Sequence, residues 1–438
     1  MSDSNSPLSL NNLEMSEGAK PLLNAVIKHI RENVDPISEE YHHLQDTKEN
    51  RWVYHPRQTE LMEGAKQKAR ESGLWNFFLP NAETGEGLSN LDYAYIAAEL
   101  GKNPLASETL NCSAPDTGNM EVLERIGTPE QKEKWLKPLL AGEIRSAFAM
   151  TEPDRASSDA KNIGMTAVLE NGEWVMNGDK YYISGAGDPR CKIMIVMVKT
   201  SPDAEAFRQQ SQILVPMDHP GVEILGPMHV FGHDDAPHGH MHIRFTNVRV
   251  PESNMLWGEG RGFEISQVRL GPGRIHHCMR SIGQAEKALD LMIERGLSRI
   301  AFGKKIIDLG KNMETISRAK IEIECMRLLV LKAAKAMDVL GNKEARIWVS
   351  MIKAKVPEQV CDIIDQSMQV HGATGISQWS PLSGMYAQQR TLRYADGPDE
   401  VHHHVIARNE VKVYSESNSR QDAAKAVTQN RGAGGFMG

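Results

Sequence analysis

Residues 147–159 read Ala-Phe-Ala-Met-Thr-Glu-Pro-Asp-Arg-Ala-Ser-Ser-Asp, and residues 180–187 read Lys-Tyr-Tyr-Ile-Ser-Gly-Ala-Gly. Between them, Asn171-Gly172 and Asn177-Gly178 punctuate three short alternating segments, Thr166 to Leu169, Trp174 to Met176 and Lys180 to Ser184. An Asn-Gly pair flanked by alternating apolar residues predicts a two-residue hairpin, because that turn requires positive φ at its centre. The middle of the chain therefore reads as an antiparallel meander. Its two ends carry Met150-Thr151 and Tyr182-Ile183-Ser184, so main-chain amides, two hydroxyls and one aromatic face can converge on a planar heterocycle.

Outward from the meander the hydrophobic period changes on both sides. Upstream, Leu22 to Val34 is expected to form a helix ending at Asp35-Pro36, Thr59 to Glu71 another ending at Gly73, and Ser89 to cap a third over Asn90 to Leu100. Met120 to Arg125 and Pro129 to Leu140 add two shorter helices, while the polar lead-in over residues 1–14 is expected to fray. Downstream, an alternating run stops at Pro251, and helical patterns fill Gly260 to Glu294, Met313 to Leu340 and Glu344 to Val370. The resulting organisation is α+β: a helical domain over 1–145, a β domain over 146–255, a helical bundle over 256–415 and a flexible tail over 416–438.

Composition excludes several function classes. Fifty Lys and Arg against 57 Asp and Glu give a net charge of −7, with no basic excess to neutralise nucleic acid. The longest apolar run, Ile193 to Val198, is far short of a membrane span, and the polar start lacks the features of a signal peptide, so a cytoplasmic protein is expected. Five cysteines without Cys-x-x-Cys spacing argue for buried thiols rather than a disulfide framework or zinc site. His238, His240 and His242 alternate along an expected strand and share one face, which leaves a metal site as a minor alternative to ordinary sheet-face histidines.

Three further segments carry chemistry. Arg299-Ile-Ala-Phe-Gly-Lys304 sets a forked cation at a helix end, suited to pair with phosphate oxygens in two places. Gln369-Val-His-Gly-Ala-Thr-Gly375 closes a helix with glycines that admit close main-chain approach, although a ligand-free helix cap has the same look. Arg393-Tyr-Ala-Asp-Gly-Pro-Asp-Glu-Val-His402 places Asp396 before Gly397, where a carboxylate can serve as a base or cap the helix starting near Asp399.

In this order, the segments resemble the acyl-CoA dehydrogenase family from about Asn90 to about Glu410. The resemblance implies an N-terminal helical domain, an antiparallel β-barrel-like middle domain and a C-terminal four-helix bundle, with FAD as cofactor. In relatives the flavin rests on Thr-Glu-Pro and a Trp-Ile-Thr tripeptide, whose first and last positions are Tyr182 and Ser184 here. Flavin contacts are thereby implied at Phe148, Met150, Thr151, Ser157, Ser158, Tyr182, Ile183, Ser184, Pro398, Asp399 and Glu400. Arg299, Phe302, Gln369, Val370, His371, Gly372 and Ala373 are also implied as flavin contacts, with Arg299 and the Gln369 to Ala373 loop reaching the flavin of a neighbouring subunit, so a homodimer or homotetramer is expected.

Asp396 takes the position of the family's catalytic glutamate, and the resemblance assigns it the α-proton of an acyl-CoA thioester while flavin N5 accepts hydride from Cβ. Ser158, Arg274 and Gly397 are implied on the substrate side, and electron-transfer flavoprotein as the electron acceptor. The position used for the base in some branches is Gly273 here. Two departures stand out: Asp154 to Asp159 is one residue longer than the usual Gly-x-Gly-Ser-Asp and lacks glycine, and Ala373 replaces a glycine. Ala-Asp-Gly-Pro-Asp-Glu-Val-His and Ser-Gly-Ala-Gly are shared with an aspartate-bearing branch, which suggests medium to long acyl chains, 4-hydroxylated ones among them. Alternatives on the same fold are an oxidase of the nitroalkane-oxidase type and a non-catalytic flavin- or acyl-CoA-binding assembly protein.

Overall fold

The computed structural model describes residues 10–432 apart from 48 and 82, and the side chains of 47, 267–272 and 428–432 also fall outside the description. Most of the expected fraying lead-in (1–9) and the end of the expected tail (433–438) therefore lie outside the described residues. The first domain comprises α1 (Lys20–His29), α2 (Asp35–Thr47), α3 (Pro56–Glu71), α4 (Asn90–Gly101), α5 (Ala106–Thr109), α6 (Asp116–Ile126), α7 (Pro129–Gln131) and α8 (Lys137–Ala141). Ser89 caps α4 as expected, its hydroxyl accepting from the Asp92 N–H.

One boundary expectation fails at Asp35-Pro36. The chain continues from α1 into α2 through a π-helical turn over Ile30–Val34, in which the Asp35 N–H reaches the Ile30 carbonyl. The widened turn accommodates a proline that lacks a donor and would crowd a regular helix.

The middle domain is a curled sheet of β1 (Arg145–Ala149), β2 (Thr166–Glu170), β3 (Glu173–Ser184), β4 (Cys191–Lys199), β5 (Gln210–Pro216), β6 (Val222–Pro227) and β7 (His240–Pro251). Its order is β1-β4-β2-β3-β7-β6, with β5 paired to β4. Asn171-Gly172 forms the expected hairpin, both residues at positive φ. Asn177-Gly178 does not. It lies inside β3 as a bulge between Met176 and Gly178, because β7 pairs along both halves of the strand and holds it continuous. The sheet is also not wholly antiparallel: β1 and β4 pair in parallel, a geometry made possible by the long excursion through β2 and β3.

The apolar run in β4 shows how the domains join. Ile193 and Ile195 pack into the helical core while Met194, Val196 and Val198 pack into the sheet core. A strand covered on both faces reads as continuous apolar sequence rather than alternation.

The last domain contains α9 (Gly262–Ser298), a small hairpin of β8 (Ile300–Ala301) and β9 (Lys304–Lys305), α10 (Asn312–His371), α11 (Leu382–Leu392) and α12 (Asp399–Ser415). α10 is two helices meeting at Gly341, whose φ of 78° breaks the run inside the expected 340–344 gap. Lys355 Nζ lies 2.9 Å from Glu322, so the two halves fold back on each other. α9 crosses α4 at contact distance, and a methyl added at Gly283 would fall 2.0 Å from the Ala98 carbonyl. The region expected as a flexible tail instead begins with a helix, α13 (Asn418–Gly432), whose Arg420 reaches Glu410 at 2.7 Å. Its Ala- and Gln-containing sequence has adequate helix propensity despite lacking an apolar face. No helix among the described residues is long and apolar enough to cross a membrane.

Candidate active site

The two segments expected to converge do so through the irregularity in β3. Register shifts between Lys180 and Ile183, Tyr182 takes φ +54°, and the Tyr181 N–H donates to the Thr151 carbonyl at 3.0 Å. Beneath this junction, fully buried Lys180 donates to the Met150 carbonyl at 2.9 Å and to Glu152 Oε1 at 2.8 Å. The Glu152 carboxylate also accepts from the N–H groups of Gly164 (2.7 Å) and Met165 (2.9 Å). Burial works to raise the pKa of Glu152, yet the Lys180 charge and these hydrogen bonds hold it below the ordinary carboxylate value.

Around this core the expected contact residues differ in orientation. Tyr182 is 41% exposed, Ile183 is buried in the sheet, and Phe148 packs against the helical core. Ser184 Oγ lies 2.8 Å from His240 Nδ1, and His240 Nε2 lies 3.0 Å from Asp235 Oδ2. Partly buried Ser157 accepts through Oγ from the Glu152 N–H at 2.9 Å, with Ser158 exposed beside it. Arg155, which stands in the glycine-poor loop, lays its guanidinium over Gly164, where any added methyl would collide with it.

A second group assembles in the C-terminal domain. Arg295, Arg299 and the Gln369 to Thr374 segment line one open cleft of about 610 Å³, so residues 70 positions apart in sequence share a site. None of the Thr151 or Tyr182 platform residues lines it. The donor set suits a phosphate-bearing group: Arg295 Nε is buried without a hydrogen-bond partner, and Gly372, at φ +63°, leaves open space where a side chain would stand. Phe302, at φ +52° in the β8–β9 turn, is 96% exposed. These features fit the pyrophosphate of a dinucleotide.

Asp396 occupies a loop just before α12, with Asp396 at φ +58° and Gly397 at φ +106°. Its carbonyl is held from two sides, by Arg274 Nε at 3.0 Å and His402 Nε2 at 3.3 Å. The carboxylate points elsewhere. Its Oδ2 lies 3.4 Å from His277 Nε2, and the side chain keeps 22% of its surface exposed. The N-cap of α12 is Pro398 and no side chain caps that end, so the capping role open to Asp396 is not used.

Cations crowd this loop. Burial pulls Arg274 and Lys353 below their ordinary pKa values, with the Asp396 charge opposing in both. Burial, then the charges of Arg274 and Lys353, push His402 down to about 4, so it is neutral at physiological pH. Gly397 is required by shape as well as by φ, since a methyl there would fall 2.8 Å from His402 Nε2. Asp399 is committed to Arg393 at 2.6 Å, its Oδ1 is buried without a hydrogen-bond partner, and Glu400 is exposed on the first turn. At Gly273 an added methyl would meet nothing within 4 Å among the described residues.

Two of the alternating histidines are held by carboxylates, His240 by Asp235 as above and His242 by Asp179 at 3.0 Å, and burial lowers the pKa of His238. No group of three potential metal ligands occurs among the described residues. Sequence reasoning missed Lys180, Arg295, His277 and Lys353. A His-His pair one turn after Arg274 was the one available signal; Lys180, which follows Asn177-Gly178-Asp179, carries none.

Comparisons with known proteins bear on this geometry. Family models described as the acyl-CoA dehydrogenase N-terminal, middle and C-terminal domains match residues 18–143, 147–248 and 260–411. Acyl-CoA dehydrogenase family member 11 of Mus musculus is 49% identical over 94% of this chain, and family member 10 of the same species 48% over 94%. The chain spans only 52% and 38% of those two relatives' lengths. FadE2 of Mycobacterium tuberculosis, named as a probable acyl-CoA dehydrogenase, is 52% identical over 84% of this chain and 88% of its own. Among solved structures, an acyl-CoA dehydrogenase of Mycobacterium abscessus, its name marking the activity as inferred, superposes with a TM-score of 0.88 at 46% identity, covering 92% of this chain and 100% of its own. Butyryl-CoA dehydrogenase of Megasphaera elsdenii, at 23% identity and a TM-score of 0.73 over 91% of this chain and 99% of its own, shares the fold.

Proposed function

We propose, from the premise that this chain belongs to the acyl-CoA dehydrogenase family, that it carries FAD and dehydrogenates acyl-CoA thioesters between Cα and Cβ. The observation that carries the reading is the Asp396 loop: main chain clamped by Arg274 and His402, carboxylate uninvolved in capping and partly open. A base so held stands at a fixed point of the chain and is partly open, as taking an α-proton requires. FAD supplies the acceptor for the β-hydrogen. Met150 to Glu152 and Tyr182 to Ser184 would hold the flavin ring, and Arg295, Arg299 and the Gln369 to Ala373 loop would hold phosphates of the flavin of an adjacent copy. A homodimer or homotetramer, electron-transfer flavoprotein as acceptor, and a cytoplasmic setting complete the proposal.

The test is an anaerobic titration of the purified holoprotein with straight-chain acyl-CoAs from butyryl to stearoyl, and their 4-hydroxy counterparts, followed by flavin absorbance. Bleaching by at least one of them is expected. A flavin that none bleaches favours the assembly-protein alternative, and peroxide formed from a nitroalkane in air favours the oxidase.

A further inference from the structure

We infer that His277 is the positioning residue for Asp396, presenting a fixed Nε2–H to its carboxylate under the direction of Arg280. The inference rests on the reading of Asp396 as the base. Arg280 NH2 lies 3.0 Å from His277 Nδ1. A guanidinium has donors only, so Nδ1 accepts and carries no proton. The neutral ring then bears its hydrogen on Nε2, the atom that stands 3.4 Å from Asp396 Oδ2.

That separation is long for a hydrogen bond and shortens with a small rotation of either side chain, as catalytic contacts do when substrate arrives. The ring is a fixed donor rather than a proton acceptor, because protonating Nδ1 would break its bond with Arg280. Both residues come from α9, one turn apart, and Asp396 comes from the loop before α12, so the contact joins two elements whose relative placement sets the carboxylate. Aspartate is one methylene shorter than the glutamate of common relatives. A donor that fixes which way its carboxylate faces is what a short base needs to keep its approach to the α-carbon.

The experiment uses FAD-loaded enzyme and the acyl-CoA that reduces the wild-type flavin fastest in the titration above. His277→Ala is expected to slow limiting flavin reduction about tenfold to a hundredfold, with the acyl-CoA dissociation constant moving less than about threefold. His277→Gln, whose amide carries an N–H at the same reach, is expected to recover most of the rate. An alanine variant as fast as wild type, or a glutamine variant as slow as alanine, overturns the inference. Should the alanine variant lose FAD or fail to fold, nitrogen NMR of histidine-labelled wild-type holoenzyme decides: a neutral His277 protonated on Nε2 supports it, and Nδ1–H or an imidazolium overturns it. Asp396→Asn run alongside separates the two levels. If that variant reduces flavin normally, the base assignment itself falls; if it is inactive while His277→Ala is normal, only the positioning role falls.

Discussion

Glu152 and Asp396 are carboxylates in the two halves of the candidate site, and the fold treats them in opposite ways. At the sheet platform the side chains are closed on partners: Glu152 accepts from two main-chain N–H groups and Lys180, and Ser157 and Ser184 each engage a neighbour. In the loop before α12 the main chain is tied by Arg274 and His402, and the carboxylate, 3.4 Å from His277 Nε2, stays partly open. A carboxylate closed on main chain and a buried cation builds a surface; one left partly open beside a histidine can do chemistry. The distinction decides which of the two acidic motifs should respond to mutation in rate and which in stability.

The largest effect is expected at Asp396. Asp396→Asn keeps volume but has no basic lone pair for an α-proton, so flavin reduction by acyl-CoA should fall at least about 10²- to 10⁴-fold. Thermal unfolding should hardly move, since the amide keeps the volume and an oxygen that can still accept a hydrogen bond. Stopped-flow reduction together with a melting curve checks both, and a large stability loss with normal reduction would reverse the comparison.

Lys180→Met is expected to show the inverse pattern. It leaves Glu152 buried at 4% exposure without its cation, a defect that costs about 3–5 kcal/mol where one partner of a buried pair is removed. Denaturant unfolding should report that loss. Adding Glu152→Gln should return part of it, because the uncompensated charge is then gone, and no recovery in the double variant would show that the pair does not act as a pair.

The buried neutral histidine beside Asp396 makes a pH prediction with a definite sign. His402 is pushed down to about 4 in the fold against an ordinary 6.5, so between those values the unfolded chain binds a proton that the folded chain refuses. Its contribution is present above about pH 6.5 and is lost as pH falls toward 4, to a total of roughly 3 kcal/mol. His276, lowered by burial in the same direction, steepens the decline. Unfolding free energy measured from pH 7 to pH 4.5 should drop less steeply in His402→Gln than in wild type.

Much of this was legible in the residues, and the failures share a cause. The Ser89 cap, the break near Gly341 and the pairing of Arg299 with the Gln369 loop rest on local signals or motifs that the fold leaves intact. Asn177-Gly178 carried an equally strong local signal and was overruled by β7, a partner some 70 residues away whose Asn247 N–H donates to Asn177 Oδ1 at 2.7 Å. Pro36 was overruled by a π turn, which leaves no pattern in composition. His277 and Lys180 could not be assigned beforehand because each acquires meaning from a contact that crosses elements: α9 to the loop before α12, and β3 to the segment after β1.

The smallest effect expected is also the one that probes the platform most finely. An ionised Asp235 carboxylate can only accept, so His240 Nε2 donates to it; with the ring singly protonated, Nδ1 is left as an acceptor and the Ser184 hydroxyl donates inward to it. Ser184→Ala then removes one partly buried hydrogen bond, worth about 0.5–1.5 kcal/mol of stability, and leaves an imidazole nitrogen unpaired. If the hydroxyl is turned inward in the FAD-bound protein too, the flavin dissociation constant should change less than about threefold, since a lost direct hydrogen bond of 1.4 kcal/mol would change it tenfold. His240→Ala should behave differently, because it releases the hydroxyl to turn outward toward the ring. Flavin binding measured by fluorescence quenching in both variants tests the contrast between the two halves: weakening of tenfold or more in Ser184→Ala would mean that the platform, like the Asp396 loop, presents a side chain after all.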